Sequence, residues 1–242
     1  MKRLLAAGAE AIYQIGSAFR AGEAGSQHNP EFTMLEWYRA GDSYAEGMKL
    51  LSDFSQAILQ LPRAEIIGYR QAFARFAGVD PFTASDAELQ ALLPRENENS
   101  RGFDRDNLLS WIMADRVEPN LGIGLPSIVC DWPPSQAALA QVRQDAVSVA
   151  ERFELFVGGV ELANGYHELT DAAELTRRME YANAQRRADG SVALPTGNRL
   201  QAAMQSGLPD CCGVAVGFDR LLMVASGSRS IRDVIAFPIE RA

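Results

Sequence analysis

Phe19-Arg20-Ala21-Gly22-Glu23 and, after four intervening residues, His28-Asn29-Pro30-Glu31-Phe32-Thr33-Met34-Leu35-Glu36-Trp37-Tyr38 decide how this chain folds. Ala11–Ile15 reads as one strand and Phe32–Tyr38 as a second, joined by the polar, glycine-rich stretch Ala21–Pro30. That arrangement predicts an antiparallel pair with a charged loop at its mouth. Arg20 closes the first strand and Phe32 opens the next, so both can face one pocket. A guanidinium fork matches phosphate oxygens bidentately, and a phenylalanine offers a flat face to a purine. With a side-chain period of two, Phe32, Met34, Glu36 and Tyr38 share a face. A carboxylate and a phenol there are odd for a core and suit a cationic substrate beside a nucleotide. Singly, Arg20 reads as a surface ion pair and Phe32 as core; the ordered string is what points to a site.

Working outward, Tyr44–Leu61 carries Met48, Leu51, Phe54, Ile58 and Leu61 at helical spacing. Further helices are expected near Gly68–Ala77, Asp86–Leu93 and Asp104–Asp115, the last stopping before Pro119. Pro94–Asp106 is the best internal loop. Ser127–Asp131 reads as a strand ending at Pro133-Pro134. Arg152–Val157 and Val160–Ala163 flank Gly158-Gly159, a hairpin signal. Asp171–Arg187 is helical, and Gly213–Gly217 is a short strand running into the helix Phe218–Ala225, while Met1–Ala7 reads as the end of a helix. No β-α-β rhythm with G-x-G-x-x-G appears. The expected class is therefore α+β, a mainly antiparallel sheet flanked by helices.

Composition narrows the function. The 242 residues hold 23 Lys+Arg against 31 Asp+Glu, a net charge of −8, which argues against broad capture of nucleic acid but leaves room for a local phosphate site. No apolar run approaches the roughly 20 residues of a membrane span. Met1–Leu5 is basic then apolar, but Gly8 and Glu10 interrupt it too early for a secretory signal. Cys130, Cys211 and Cys212 make no disulfide framework and read as reduced packing thiols of a cytoplasmic protein. With two histidines, His28 and His167, and no C-x-x-C, a multi-histidine zinc site is excluded.

Two further strings carry chemistry. In Val160-Glu161-Leu162-Ala163-Asn164-Gly165-Tyr166-His167-Glu168, the carboxylates of Glu161 and Glu168 lie seven apart across Gly165. If that glycine turns the chain, the two come together as magnesium ligands beside a triphosphate; otherwise they form a solvated acidic edge. In Gly213-Val214-Ala215-Val216-Gly217-Phe218-Asp219-Arg220, small residues at alternate positions leave room for a ligand against the backbone, and Arg220 is presented by the following helix. Alone, that string reads better as a packed strand followed by a surface arginine.

Together these strings resemble class II aminoacyl-tRNA synthetases: Phe19-Arg20 through Glu36 looks like motif 2, and Gly213 through Arg220 like motif 3. His28-Asn29-Pro30-Glu31-Phe32-Thr33-Met34 and Glu161-Leu162-Ala163-Asn164-Gly165 resemble the lysyl branch. Met1-Lys2-Arg3-Leu4-Leu5, Tyr166-His167-Glu168-Leu169-Thr170-Asp171 and Pro209-Asp210-Cys211 are similar to the PoxA/GenX family, the elongation factor P lysine ligases. The resemblance implies a six- or seven-stranded antiparallel sheet, a homodimer, ATP with magnesium, activation of (R)-β-lysine as an adenylate, and transfer to a lysine of elongation factor P. It also implies one catalytic domain over residues 1–242, without the anticodon-binding domain of the tRNA-charging enzymes; a protein acceptor is expected rather than tRNA.

Carried over residue by residue, the resemblance makes Arg20 and Arg220 the catalytic arginines, with Arg20 on the α-phosphate and Phe32 and Arg220 sandwiching adenine. Gly22, Glu23, His28, Asn29, Glu161, Leu162 and Gly217 complete the ATP site, and Glu161 and Glu168 hold magnesium. Glu36, Tyr38, Asn164, Glu168 and Ala215 line the diamino-acid pocket. Gly22 stands where motif 2 has glutamate, with Glu23 beside it; Ala215 stands where the tRNA-charging lysyl enzymes have glycine. Motif 1 and a Thr-Ser-Pro-Glu-like segment are expected before Met1, so the chain reads as N-terminally truncated. The alternatives are a catalytic fragment of a lysyl-tRNA synthetase and a non-catalytic nucleotide-binding paralogue.

Overall fold

The computed structural model describes residues 1–94 and 102–241. Most of the loop expected over Pro94–Asp106 thus lies outside the described residues. The decisive pair forms as expected: β1 (Ala11–Phe19) and β2 (Glu31–Ala40) are antiparallel, with Ala18 opposite Phe32 and Gln14 opposite Glu36. The other strands are β3 (Glu65–Gly68), β4 (Ser127–Trp132), β5 (Val142–Arg143), β6 (Val149–Val157), β7 (Val160–His167) and β8 (Cys211–Gly217). They make one sheet in the order β1-β2-β8-β7-β6-β4-β3, with β5 against β6. All pairings are antiparallel except β3 with β4. The sheet thus has one strand more than the family expectation, and one parallel pair. Glu65–Gly68 and the two-residue β5 escape sequence reading because they are too short to show a period.

The helices are α1 (Lys2–Leu5), α2 (Tyr44–Leu59), α3 (Tyr69–Phe76), α4 (Asp86–Gln90), α5 (Arg105–Ile112), α6 (Ala172–Ala188), α7 (Arg199–Gln205) and α8 (Phe218–Ser226). Local chemistry sets their starts. Ser43 and Glu46 form a capping box on α2, and the Asp171 carboxylate accepts from the first turn of α6. The helical path of α5 continues through a π-type turn at Met113–Val117 into a 3-10 turn that accommodates Pro119.

The two faces of the sheet differ. Phe153, Leu155, Ala163, Val214 and Val216 point to one side and pack against Met48 and Leu51 of α2 and Leu221 of α8. The opposite face carries Phe32, Met34, Glu36 and Tyr38. At the β4 end it is covered by Tyr69, Phe73, Leu89 and Leu108 of α3, α4 and α5. At the other it is covered by Leu5 of α1, Leu175 of α6 and Met204 of α7. Between these two lids the sheet face stays open.

Close packing on the α2 side depends on small residues. A Cβ at Gly165 would lie 2.4 Å from ring carbons of Phe153, itself fully buried. Gly165→Ala is therefore expected to destabilise the fold by about 1–3 kcal/mol. Thermal unfolding should show a melting point lower by several degrees; an unchanged one would contradict this packing.

Candidate active site

The open face holds a cavity of about 340 Å³, lined among others by Arg20, Phe32, Glu161, Asn164, Ala215 and Arg220. Arg220, in the first turn of α8, is fixed on all sides. Its Nη1 donates to the Glu161 carbonyl at 3.0 Å and to Glu161 Oε2 at 3.2 Å, its Nε to the Gln27 carbonyl at 3.2 Å, and its Nη2 to His28 Nε2 at 2.6 Å. Burial, then the adjacent Arg220 charge, holds His28 below its ordinary pKa, which keeps the ring an acceptor for that guanidinium. Asp219, a buried neighbour missed in the sequence reading, latches α8 to β2 by accepting from Thr33 N at 2.6 Å.

Across the cavity, Arg20 Cζ lies 5.7 Å from the Phe32 ring centroid. Gly22 has φ +82°, and the turn it permits brings Glu23 back to Arg20 Nη1 at 3.2 Å. The one-residue shift seen in the sequence thus still leaves a carboxylate at the cavity, since Glu23 lines it. Leu162 and Gly217 also line it. Asn29 does too, but its amide is already engaged: Nδ2 donates to the Glu31 carbonyl at 2.6 Å and Oδ1 accepts from Ile239 N at 3.0 Å. These two bonds hold the loop in shape and fix the Asn29 amide at the cavity edge.

Strand register places the remaining residues in rows. Glu36, Ala215, Asn164 and Glu154 stand opposite one another on β2, β8, β7 and β6. Tyr38, Gly213, Tyr166 and Arg152 make the next row. The Tyr38 hydroxyl donates to Glu36 at 3.3 Å. Glu168, just past β7, is 1% exposed and paired with Lys2. Burial raises its pKa while Lys2 opposes the rise. Burial, then Glu168, also pushes the Tyr38 phenol up. Asn164 Oδ1 is buried without a partner in the cavity wall, which suits an incoming N–H donor.

The structure does not bring Glu161 and Glu168 together. Gly165 is no turn; it sits within β7, opposite Phe153 and Val214. The two carboxylates therefore lie at opposite ends of the strand, on the order of 20 Å apart at about 3.3 Å per residue. Opposite Glu161 on the facing strand is Phe156, and Glu154, two residues from Phe156, shares that face. A β-bulge, with Leu155 opposite Ala163 but Phe156 opposite Glu161, makes Leu162 the extra residue and turns Glu161 onto the open face beside Glu154. Burial, then the Glu161 charge, pushes Glu154 up to about 8, against the pull of Arg152; Glu118 is raised for the same two reasons. The signal in the sequence was Glu154 itself, a lone carboxylate in the apolar run Phe153–Val157. Of these carboxylates only Glu161 lines the cavity, while Glu154 is buried in an ion pair with Arg152; one protein carboxylate is enough for magnesium where phosphate supplies most of the other oxygens. Among the described residues no group of three or more His, Cys, Asp or Glu could hold a metal ion alone. The cysteines stay out of this chemistry: all three are free and buried, and burial pushes Cys130 and Cys211 up to about 12.

A sequence model of the class II tRNA synthetases (D, K and N) matches residues 1–241. Over its full length the chain is 46% identical to proteins named elongation factor P–(R)-β-lysine ligase from Proteus mirabilis and Yersinia enterocolitica, and 45% to the one from Klebsiella pneumoniae, spanning 75% of each. The chain belongs to the class II synthetase family, among the elongation factor P–(R)-β-lysine ligases. Motif 2 of the family is thus β1, its loop and β2, and motif 3 is β8 with α8.

With two histidines in the chain, the motif 2 imidazole can be followed directly. His28 should titrate below its ordinary value of 6.5, so its contribution to site order is present above that pH and is lost as the pH falls through the folded value. Imidazole proton shifts, assigned with His28→Gln, check this; a His28 pKa at or above 6.5 would contradict the packing against Arg220.

Proposed function

We propose that this chain is an ATP-dependent ligase that activates (R)-β-lysine as its adenylate and transfers the acyl group to a lysine ε-amine of elongation factor P. The observation that carries the reading is one continuous sheet face, with Arg20, Phe32, Glu161 and Arg220 at one end and Glu36, Tyr38, Asn164 and Glu168 at the other. The relatives carry the ligase name, and neither tRNA charging nor non-catalytic nucleotide binding is favoured by them.

Phe32 and the guanidinium of Arg220 would bracket adenine, the hydrogen bonds to Gln27, His28 and Glu161 keeping Arg220 flat and immobile. Arg20 would hold the α-phosphate. A carboxylate oxygen of β-lysine attacks the α-phosphorus, the bond to pyrophosphate breaks, and Arg20 stabilises the charge that gathers on the phosphoryl oxygens. In the second step the acceptor amine attacks the acyl carbonyl, AMP leaves, and the amine loses a proton. Glu161, the carboxylate on the cavity wall, would help to hold magnesium, which when bound neutralises charge on the phosphates. Ala215 places a methyl between Glu36 and Asn164, where it reshapes the floor of the amino-acid pocket; selection of this kind is worth about 1–3 kcal/mol. The same reading makes residues 1–242 one catalytic domain, with the protein acting in the cytoplasm as a homodimer.

ATP–pyrophosphate exchange tests the reading. Exchange should be supported by (R)-β-lysine in preference to α-lysine, and Arg20→Ala should slow it by about 10²–10³-fold. Ala215→Gly should narrow the β over α preference by about tenfold or more. No exchange with either amino acid from the folded protein would overturn the assignment.

A further inference from the structure

Glu36 and Glu168 both reach the amino-acid end of the open face, and the protein already supplies one cation there. Lys2 Nζ pairs with Glu168 Oε2 and lies 5.9 Å from the centroid of the Tyr38 ring. The pair is withdrawn from water, the lysine side chain being 12% exposed and the glutamate 1%. Lys2 is held there by its element: it opens α1, whose Leu5 is buried against Leu169, Leu175, Met204 and Leu208. The other oxygen of Glu168, Oε1, lies over Gly213, 2.4 Å from where a Cβ would stand and beside the Tyr38 ring. Only glycine at 213 leaves that oxygen its place. Glu36 has no cationic partner among the described residues; its contact is the Tyr38 hydroxyl.

We infer that Lys2 is a positioning residue that sets the charge specificity of this pocket. It occupies Glu168 Oε2, aims Oε1 across Gly213, and cancels one of the two carboxylate charges. One net negative charge is left, matched by one side-chain ammonium received between Glu36 and Glu168 Oε1. Without Lys2, two carboxylates would face one ammonium, with Glu168 buried and uncompensated, an arrangement proteins tolerate poorly. The inference rests on this end of the open sheet face being the diamino-acid subsite, and it adds that a residue from α1, outside motifs 2 and 3, decides how many positive charges the subsite accepts.

Calorimetric titration of the full chain with (R)-β-lysine and, separately, with ATP and magnesium tests it. Lys2→Met should weaken β-lysine binding at least about tenfold while ATP affinity stays within about twofold, and Lys2→Arg should bind β-lysine within about threefold of the unaltered protein. In a Glu168→Gln background, where residue 168 carries no charge to cancel, Lys2→Met should strengthen β-lysine binding; this comparison stands even if Lys2→Met alone does not fold. Equal weakening in both backgrounds, equal loss of ATP and β-lysine affinity, or unchanged β-lysine binding in Lys2→Met would overturn the inference. Failure of the unaltered protein to bind either ligand would instead overturn the ligase reading.

Discussion

Everything at the site depends on the pairing of β2 with β8, in which Glu36 stands opposite Ala215 and Met34 opposite Gly217. Side chains alternate along a strand, so a slip of one residue would turn Phe32, Glu36 and Tyr38 toward the core and bring Trp37 onto the open face. The register is pinned from the α2 side, where Trp37 packs on Phe54 at 5.2 Å and Val214 and Val216 fill the cluster under α2. It is pinned again at the turn into α8, where Asp219 accepts from Thr33 N. Packing on one face thereby sets the chemistry of the other.

The open face carries charges of both signs along its length. The guanidiniums of Arg20 and Arg220 stand at the motif 2 end with Glu23 and Glu161, and Glu36, Glu154 and Glu168 stand further along with Arg152 and Lys2. Buried carboxylates raise one another's pKa and tolerate burial only with compensation. The structure compensates in pairs: Arg152 beside Glu154, Arg220 beside Glu161, Lys2 beside Glu168. Glu36 makes no ion pair among the described residues and stands in the row with Ala215 and Asn164. A bound diamino acid would complete the pairing that the protein leaves open at Glu36.

Much of this was legible in the sequence because it was local. The β1–β2 pair follows from two apolar strands around a polar loop, the β6–β7 hairpin from Gly158-Gly159, and the shared face of Phe32, Met34, Glu36 and Tyr38 from a period of two. What escaped was non-local or irregular. Glu161 and Glu168 seemed to converge only if Gly165 turned the chain, whereas that glycine is needed to admit the Phe153 ring. The bulge at Leu162, which sets Glu161 opposite Phe156 and on the same face as Glu154, has no glycine to announce it. Lys2 meets Glu168 across 166 positions of sequence through the docking of α1, and no spacing rule predicts such a contact. Asn29 likewise bonds to Ile239 N across 210 positions of sequence, a contact no local pattern announces.

The central claim is that one sheet face holds a nucleotide at the Arg20–Arg220 end and a diamino acyl group at the Glu36–Glu168 end. A crystal structure with a non-hydrolysable β-lysyl-adenylate analogue tests it most directly. The account predicts adenine between Phe32 and Arg220, the phosphate mimic at Arg20, and the side-chain ammonium within hydrogen-bond distance of Glu36. An analogue bound in the reverse sense, or on the α2 side of the sheet, would contradict it.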